Sequence, residues 1–255
     1  MPDLTAPPAL PPLARAALLL DLDGTLLDLA PTPDAVVVPD GLRGDLHALR
    51  RRLDDAVAVV TGRPIAQVDA LLGNAPFAVA GEHGGAIRHA PGAAVTRAAL
   101  REPPAEWLAA GRRIADGHPG ALYEEKSRGF VLHYRLAPHA GTALRTALEA
   151  LLDGSQGFAL MAAHMAWEVK PLGADKGTAV RGLMAASPFR DRLPIFIGDD
   201  VTDEDGMAAA RELGGAGLRV QDVFGAPQGV RDWLAGAARR GVWPAPGEPG
   251  AVRNG

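Results

Sequence analysis

The feature that most constrains the fold is a set of short apolar runs, each followed by polar residues that packing does not require. The first run, at residues 16–22, leads into the segment LLLDLDGTLLDL at residues 18–29, where Asp21 and Asp23 end a leucine stretch suited to a buried strand. A buried carboxylate is costly unless a positive group compensates it. Either the strand leaves the core at this point, or the two carboxylates bind a metal or take part in chemistry.

Further apolar runs predict an alternation of strands and helices. Runs at residues 56–60, 77–81, 193–198 and 217–220 predict buried strands, and amphipathic segments between them predict helices. Strands and helices alternate over the first 85 residues and again after residue 172. This pattern predicts an α/β fold with a Rossmann-like core, in which a parallel sheet carries helices on both faces.

The pattern changes between these two stretches. Residues 121–136 alternate apolar and polar, which predicts a half-exposed antiparallel strand in a hairpin that turns at residues 127–129. A helix and a further extended stretch at 157–171 follow. We therefore expect a discontinuous core of residues 15–87 and 169–240, with a smaller α+β cap domain at 88–168. The Pro-rich residues 1–14 and residues 241–255 are expected to be tails.

Composition excludes several classes of protein. The net charge is -4, so a nucleic-acid-binding surface is not expected. The 255 residues include no cysteine, which removes disulfides, thiolate metal sites and cysteine nucleophiles. Neither a membrane span nor a secretory signal is expected from the apolar runs, and we predict a cytoplasmic protein. The composition does not identify a protein partner.

Polar residues at the ends of several predicted strands form a candidate site. Asp21 follows the first strand, Thr61 the second and Asp199 a later one, while Lys176 lies in the first turn of a helix. Each has an ordinary alternative explanation: an Asp-Gly turn, a strand end, an acidic helix start or a surface lysine. Because ligands of open parallel sheets bind at the carboxyl ends of the strands, their joint occurrence favours a functional site.

The chemistry of this combination is that of phosphate esters. Asp21 and Asp199, with a backbone carbonyl, offer the hard oxygen ligands that Mg²⁺ prefers. Lys176 and Thr61 can orient and partly neutralise a phosphate. One carboxylate can then attack phosphorus and form an aspartyl-phosphate, while the carboxylate two residues further on protonates the leaving oxygen and later activates water.

Four motifs together resemble those of the haloacid dehalogenase (HAD) superfamily of phosphatases: DLDGT at residues 21–25, TGR at 61–63, Lys176, and GDDVTDED at 198–205. The resemblance implies an inserted cap domain that closes over the substrate. It implies the following core roles: Asp21 as nucleophile, Asp23 as general acid and base, Thr61, Gly62 and Lys176 as phosphate ligands, and Mg²⁺ held by Asp21, the Asp23 carbonyl and Asp199 with support from Asp203.

A narrower resemblance is to the trehalose-6-phosphate phosphatase family. It rests on GEHGG at residues 81–85, EEKSRGFVLHYR at 124–135, WEVKPLGADKG at 167–177 and the GDDVTDED motif. The resemblance implies sugar contacts from the cap, for which the candidates are Glu124, Lys126, Glu168, His133 and Arg135, with His83 as a further contributor. The alternative is that these are ordinary exposed strand residues. Trp167 is expected to pack in the cap.

One local departure concerns the residues after the Gly-x-His-Gly stretch. The family often has an acid there, whereas this chain continues Gly85-Ala86-Ile87. The resemblance implies Mg²⁺-dependent hydrolysis of trehalose 6-phosphate in trehalose biosynthesis, with a small-molecule substrate. Sucrose phosphate, a glycosyl-phosphoglycerate or a hexose phosphate remain alternative substrates, and a non-catalytic sugar-phosphate sensor is an alternative of another class. A nucleotide-binding oxidoreductase is excluded, because no G-x-G-x-x-G turn follows the first strand.

Overall fold

The computed structural model describes residues 10–32, 35–126 and 128–245. The chain divides into two units. The core unit is formed by the residues up to Ala98 and those from Asp175 onwards, and the inserted unit by Ala99–Ala174. The elements, in chain order, are β1 (Ala16–Leu20), α1 (Leu42–Arg52), β2 (Val57–Val60), α2 (Ile65–Leu72), β3 (Ala78–Gly81), β4 (Ala86–Arg88), β5 (Thr96–Arg97), α3 (Ala105–Asp116), β6 (Leu122–Lys126), β7 (Gly129–His133), α4 (Gly141–Leu152), β8 (Phe158–Ala163), β9 (Ala166–Pro171), α5 (Lys176–Met184), β10 (Leu193–Gly198), α6 (Glu204–Glu212), β11 (Ala216–Arg219), α7 (Val220–Val223) and α8 (Pro227–Arg240).

The core unit is built on one sheet with the strand order β11-β10-β1-β2-β3-β4-β5. The five strands from β11 to β3 are parallel, with Leu18 of β1 opposite Ile195 of β10 and Val57 of β2. Every residue of β1, β2 and β3 is buried, so both faces of the sheet are covered. The carboxyl ends of β1, β2 and β10 therefore lie at one edge of this sheet.

The unit boundaries differ from the predicted ones, which were 87/88 and 168/169. The short strands β4 and β5 extend the core sheet in antiparallel fashion, so the core unit continues to Ala98. At the other end, β9 belongs to the sheet of the inserted unit and runs to Pro171. Backbone pairing places both boundaries later in the chain than the change in sequence pattern does.

The core helices follow the apolar spacing of the sequence. Helix α1 buries Leu42, Leu46 and Leu49, which lie on one face at intervals of three and four residues. Asp175 is the N-cap of helix α5, and its side chain accepts a hydrogen bond of 2.6 Å from the backbone N–H of Thr178. This cap places Lys176 in the first turn of the helix.

Parts of both predicted tails are packed in the structure. The Trp243 ring stacks on Trp233 of α8 with 4.7 Å between ring centroids, and its Nε1 donates to the Pro11 carbonyl at 2.8 Å. Trp233 Nε1 donates to the Pro244 carbonyl at 2.8 Å, and Leu13 is buried. Leu10, Leu13 and Trp243 thus pack against the hydrophobic core of the core unit. The rest of the predicted tails, residues 1–9 and 246–255, lies outside the described residues.

The inserted unit is an antiparallel sheet with the order β6-β7-β9-β8. Helices α3 and α4 pack against each other, and an apolar core forms around Phe130, Leu132 and Val169. The predicted hairpin is formed by β6 and β7. The predicted half-exposed strand differs, however, because β7 is central in the sheet and its Val131 is buried, whereas Leu136 lies beyond the strand and is 75% exposed.

Two further features of the inserted unit were not predicted. The extended stretch at 157–171 is a second hairpin, in which β8 and β9 meet at a turn where Met165 has a φ of 53°. Helix α3 was not anticipated either. Within the described ranges, none of the helices has the length and apolar character needed to cross a membrane.

Candidate active site

The centre of the candidate site is a buried lysine between two buried aspartates. Asp21 directly follows β1, and Lys176 opens α5. The Lys176 ammonium donates to Asp21 Oδ1 and to Asp203 Oδ1, each at 2.6 Å. All three side chains are at most 5% exposed. Burying these charges is tolerable because each is hydrogen-bonded to an opposite charge.

Asp203 also organises the loop that follows β10. Its Oδ2 accepts the backbone N–H groups of Asp199 at 3.1 Å and Asp200 at 3.0 Å. Asp200 in turn caps the short 3-10 turn Val201–Asp203 through its side chain. Both carboxylate oxygens of Asp203 are thus engaged, one by Lys176 and one by the loop backbone, and the loop presents the Asp199 side chain.

Asp199 lies against the turn that follows β1. Thr25 Oγ1 is 3.4 Å from Asp199 Oδ1. A Cβ atom at Gly24, whose φ is 80°, would overlap the Asp199 carboxylate. Only glycine allows the turn this close to the carboxylate in this conformation. The segment after Asp23 and the loop after β10 therefore converge.

Within the described residues, the carboxylates of the site outnumber its one buried ammonium group, that of Lys176. Burial, and then the charge of Asp203, raise the pKa of Asp21 well above its usual value, although Lys176 opposes the shift. Burial and the neighbouring Asp203 and Asp200 raise the pKa of Asp199 to about 6. Burial alone would lower the pKa of Lys176, but Asp21 and Asp203 outweigh it and raise it. A further cation would relieve this crowding of carboxylates.

The donor set fits a hard divalent cation. One carboxylate oxygen from each of Asp21, Asp199 and Asp203 lies within 4.8 Å of the others. Oxygen atoms at this spacing are the ligands that such cations bind. Because Asp203 already accepts from Lys176 and two backbone groups, the geometry favours Asp21 and Asp199 for direct contact.

The end of strand β2 also contributes to the site, through the segment Thr61-Gly62-Arg63 that follows it. Thr61 is buried, and its Oγ1 accepts the Arg63 backbone N–H at 3.1 Å. A Cβ atom at Gly62 would lie 2.6 Å from His83 Nε2, so glycine permits the histidine ring to approach the loop. The Arg63 guanidinium forms two hydrogen bonds with the Asp23 carboxylate, Nε to Oδ2 at 2.6 Å and Nη2 to Oδ1 at 2.7 Å.

The predicted sugar-binding residues lie in the inserted unit. Glu124 of β6 bonds to Lys126 through Oε1, and its Oε2 is 2.8 Å from His133 Nε2. Burial opposes ionisation of this carboxyl, but hydrogen bonds from His133 and Lys126 lower the pKa of Glu124 to about 2. Glu168 lies in the same cross-strand row as Glu124, since both are paired with Val131.

Two other residues of the inserted unit were considered in the sequence. Arg135 is half-buried and lies two residues beyond β7. Trp167 packs as expected: its Nε1 donates to the Gly141 carbonyl at 2.8 Å, and its ring stacks with Tyr134 at 6.3 Å between centroids. Direct hydrogen bonds thus join Glu124, Lys126 and His133, and Glu168 lies in the same sheet.

The sequence matches a known family over most of its length. A profile described as trehalose-phosphatase matches residues 19–231. The chain belongs to the trehalose-phosphatase family. The resemblance inferred from the motifs is thus confirmed.

Two relatives illustrate the match. The chain is 39% identical over 231 residues to the "Probable trehalose-phosphate phosphatase" of Sinorhizobium fredii (strain NBRC 101917 / NGR234), covering 89% of this chain and 85% of the relative. It is 36% identical over 211 residues to the "Trehalose-6-phosphate phosphatase" of Escherichia coli (strain K12), covering 81% and 78%.

The fold is similar to that of a solved structure. The C-terminal domain of C. albicans trehalose-6-phosphate phosphatase superimposes with a TM-score of 0.74 at 21% identity, covering 88% of this chain and 92% of that one. At this identity the likeness shows the fold, and it confirms the predicted class of an α/β core with an inserted smaller domain.

Two arginines near the site were given no role from the sequence. Arg63 contacts Asp23, as described above. Arg219, at the end of β11, donates from Nη1 to the Asp199 carbonyl at 3.3 Å and pairs with Glu204. Arg63 comes shortly after β2 and Arg219 is the last residue of β11, so position at the carboxyl end of the parallel sheet is the signal that identifies both.

Proposed function

We propose that this chain hydrolyses trehalose 6-phosphate to trehalose and phosphate. The relatives named above carry that activity in their names, and the chain covers at least 78% of their length. The observation that carries the proposal is the buried cluster in which Lys176 contacts Asp21 and Asp203 at 2.6 Å, at the carboxyl end of the parallel sheet. Such a cluster is suited to phosphate esters.

The proposed reaction has two steps. In the first, a carboxylate oxygen of Asp21 attacks phosphorus, the bond from phosphorus to the sugar oxygen breaks, and Asp23 donates a proton to that oxygen. In the second, Asp23 takes a proton from water, the water oxygen attacks phosphorus, and Asp21 is released. Thr61, Gly62 and Lys176 hold the phosphate through a hydroxyl, a backbone N–H and an ammonium group.

We assign Mg²⁺ to the acidic cluster. Asp21, the backbone carbonyl of Asp23 and Asp199 would hold the ion, and Asp203 supports the arrangement through Lys176 and the loop backbone. The oxygen-only donor set favours Mg²⁺ over softer metals. When bound, the ion supplies positive charge that orients and partly neutralises the phosphate.

Sugar selectivity is assigned to the inserted unit. Glu124, Lys126, Glu168, His133 and Arg135 are proposed to bind the sugar hydroxyls, because carboxylates and cationic groups are natural hydrogen-bond partners of a polyol. The hydrogen-bonded set of Glu124, Lys126 and His133 supports this assignment. A small-molecule substrate suffices for this activity, and cytoplasmic location stays a prediction from the sequence.

The test is a phosphate-release assay with and without Mg²⁺. The panel contains trehalose 6-phosphate, sucrose 6-phosphate, a glycosyl-phosphoglycerate and glucose 6-phosphate. We expect the highest kcat/KM on trehalose 6-phosphate and loss of activity when the ion is chelated. Equal rates across the panel would remove the substrate assignment, and absence of turnover would favour the sensor.

Asp21→Asn provides the matching test of the nucleophile. An amide oxygen is a poor nucleophile, so we expect turnover to fall by at least ~10⁴-fold while circular dichroism and thermal unfolding show a folded protein. The exposed Asp222→Asn is the control and should retain activity. Residual turnover in Asp21→Asn near that of the control would contradict the assignment.

A further inference from the structure

Asp23 is held by an arginine that the proposed reaction does not use. Arg63 follows β2, and its side chain is 12% exposed. Its guanidinium faces both oxygens of Asp23, at 2.6 and 2.7 Å. We call this pair of parallel hydrogen bonds from the planar guanidinium to the carboxylate a fork. Such a fork fixes the orientation of both groups.

The arginine is itself anchored by the backbone. The N–H of Arg63 donates to Thr61 Oγ1 at 3.1 Å, and its carbonyl accepts the N–H of Glu82 at 3.0 Å. A Cβ atom at Gly81 would lie 2.7 Å from this carbonyl, so the end of β3 is packed closely against the loop. The guanidinium therefore starts from a fixed backbone position.

Proton transfer by Asp23 requires this fork to change. The ionised carboxylate accepts both guanidinium N–H groups. The protonated form carries a hydrogen on one oxygen, and that oxygen must turn the hydrogen away from the guanidinium to donate it elsewhere. One hydrogen bond of the fork is then given up, and the other still holds the side chain.

We propose that Arg63 is a positioning residue that holds Asp23 in place for proton transfer to the leaving oxygen. Both N–H groups hold the carboxylate when Asp23 acts as a base, and one holds it when Asp23 donates its proton as the bond between phosphorus and the leaving oxygen breaks. This inference rests on the proposed function, because it needs Asp23 as the general acid.

The test compares two leaving groups. The sugar oxygen of trehalose 6-phosphate needs a proton to leave, whereas p-nitrophenolate leaves p-nitrophenyl phosphate without one. The quantity measured is kcat/KM, which reports the steps up to departure of the leaving group. In Arg63→Met we expect a loss of ~100-fold on trehalose 6-phosphate, the scale of general acid catalysis, and of less than ~3-fold on p-nitrophenyl phosphate. Arg63→Lys, which keeps a donor, should recover part of the difference.

A matched control exists in the same unit. Arg88 makes a fork of 2.7 and 2.7 Å with Asp69, and its side chain is also 12% exposed. Arg88→Met removes an equivalent ion pair, and we expect the ratio of the two activities to stay at the wild-type value. Because a ratio does not depend on the folded fraction, loss of stability alone cannot produce the expected result.

A double variant tests whether Arg63 acts through Asp23. In an Asp23→Asn background, Arg63→Met should lower kcat/KM on trehalose 6-phosphate by less than ~2-fold, since the positioned group is already absent. Equal losses on both substrates in the single variant, or a full further loss in the double variant, would overturn the proposal.

The same experiment separates this proposal from the proposed function. Wild-type protein that cleaves p-nitrophenyl phosphate and glucose 6-phosphate but not trehalose 6-phosphate would overturn the substrate assignment alone, and glucose 6-phosphate then replaces it in the comparison. Wild-type protein that cleaves none of these esters would overturn both.

Discussion

At the scale of single residues, the site contains buried charges, each of which is stable only because an oppositely charged partner lies beside it. Lys176 faces Asp21 and Asp203, and each of these groups is almost fully buried. Removing one member of such a set leaves an uncompensated buried charge. The resulting loss of folding stability is larger than the net stabilisation that the intact set provides. The residues are therefore coupled structurally as well as chemically, and variants at one position affect the others.

Asp203 is the residue at which this coupling is most directly tested. In Asp203→Asn the amide keeps one acceptor oxygen, which cannot serve both Lys176 and the N–H groups of Asp199 and Asp200. We expect Mg²⁺ affinity to fall by ~10–100-fold, the scale seen when the groups that orient metal ligands are altered. Isothermal titration calorimetry measures it, with the exposed Asp205→Asn as control. Equal affinity in the two variants would contradict the supporting role.

Glu124 predicts a pH dependence of stability in the inserted unit. Its pKa is lowered from 4.5 to about 2 in the folded state by the hydrogen bonds from His133 and Lys126, against the effect of burial. Its contribution to stability is therefore complete above about pH 4.5 and is lost as the pH falls towards 2. The stability difference between wild type and Glu124→Gln, from urea unfolding, should shrink over this range.

The control is another carboxylate of the same unit. Glu149 forms an exposed ion pair with Arg145 within α4. Glu149→Gln should change the free energy of unfolding by less than ~0.5 kcal/mol, as is usual for exposed pairs. A Glu124→Gln difference that stays constant from pH 6 to pH 2.5 would mean that the carboxylate is not held by its partners.

At the scale of elements, close packing of helices on the central sheet sets the position of the loops. Helix α6 directly follows the loop that carries Asp199 and Asp203. A Cβ atom at Gly206 in this helix would lie 2.6 Å from the ring of Phe196, which is fully buried in β10. The absence of a side chain at this position lets α6 lie close to the strand that precedes the loop.

Two helical glycines allow this packing to be tested with the same substitution. Gly206→Ala should destabilise the protein by ~1–3 kcal/mol through overpacking against Phe196. Gly44→Ala in α1 should stabilise it by ~0.5–1 kcal/mol, because nothing lies within 4 Å of the added Cβ and alanine favours helix. Thermal and urea unfolding measure both. If the free energy of unfolding changed with the same sign in both variants, helix propensity, rather than contact with the sheet, would determine the effect.

At the scale of the whole molecule, residues near both ends of the described chain complete the core unit. The Trp243 ring stacks on Trp233, and its Nε1 bonds to the Pro11 carbonyl. We expect Trp243→Ala to lower the free energy of unfolding by ~1–3 kcal/mol through loss of a stacked aromatic pair and a hydrogen bond. The neighbouring Val242→Ala, at a residue that is 60% exposed, is the control and should have little effect. Equal stability of the two variants would mean that the segment does not contribute.

Much of the core unit could be predicted because local patterns and tertiary structure agree there. Continuous apolar runs were confirmed as β1, β2, β3 and β10, and the leucine spacing of α1 matches its buried face. Prediction was weakest for strands whose formation depends on pairing with residues distant in the sequence. The strands β4 and β5 are only three and two residues long, and they exist because they hydrogen-bond to the edge of the core sheet.

Apolar periodicity and motif spacing are local properties of the chain, and they were sufficient to predict the α/β class, most strands and helices of the core unit, and the acids and the lysine of the candidate site. Long-range contacts became known only from the fold: Lys176 bridges Asp21 and Asp203, Arg63 holds Asp23, and Trp243 stacks on Trp233. Lys176 and Asp21 are 155 positions apart in the chain, and Arg63 and Asp23 are 40 positions apart. The folded sheet brings such residues together, and spacing along the chain does not specify which side chains will then meet.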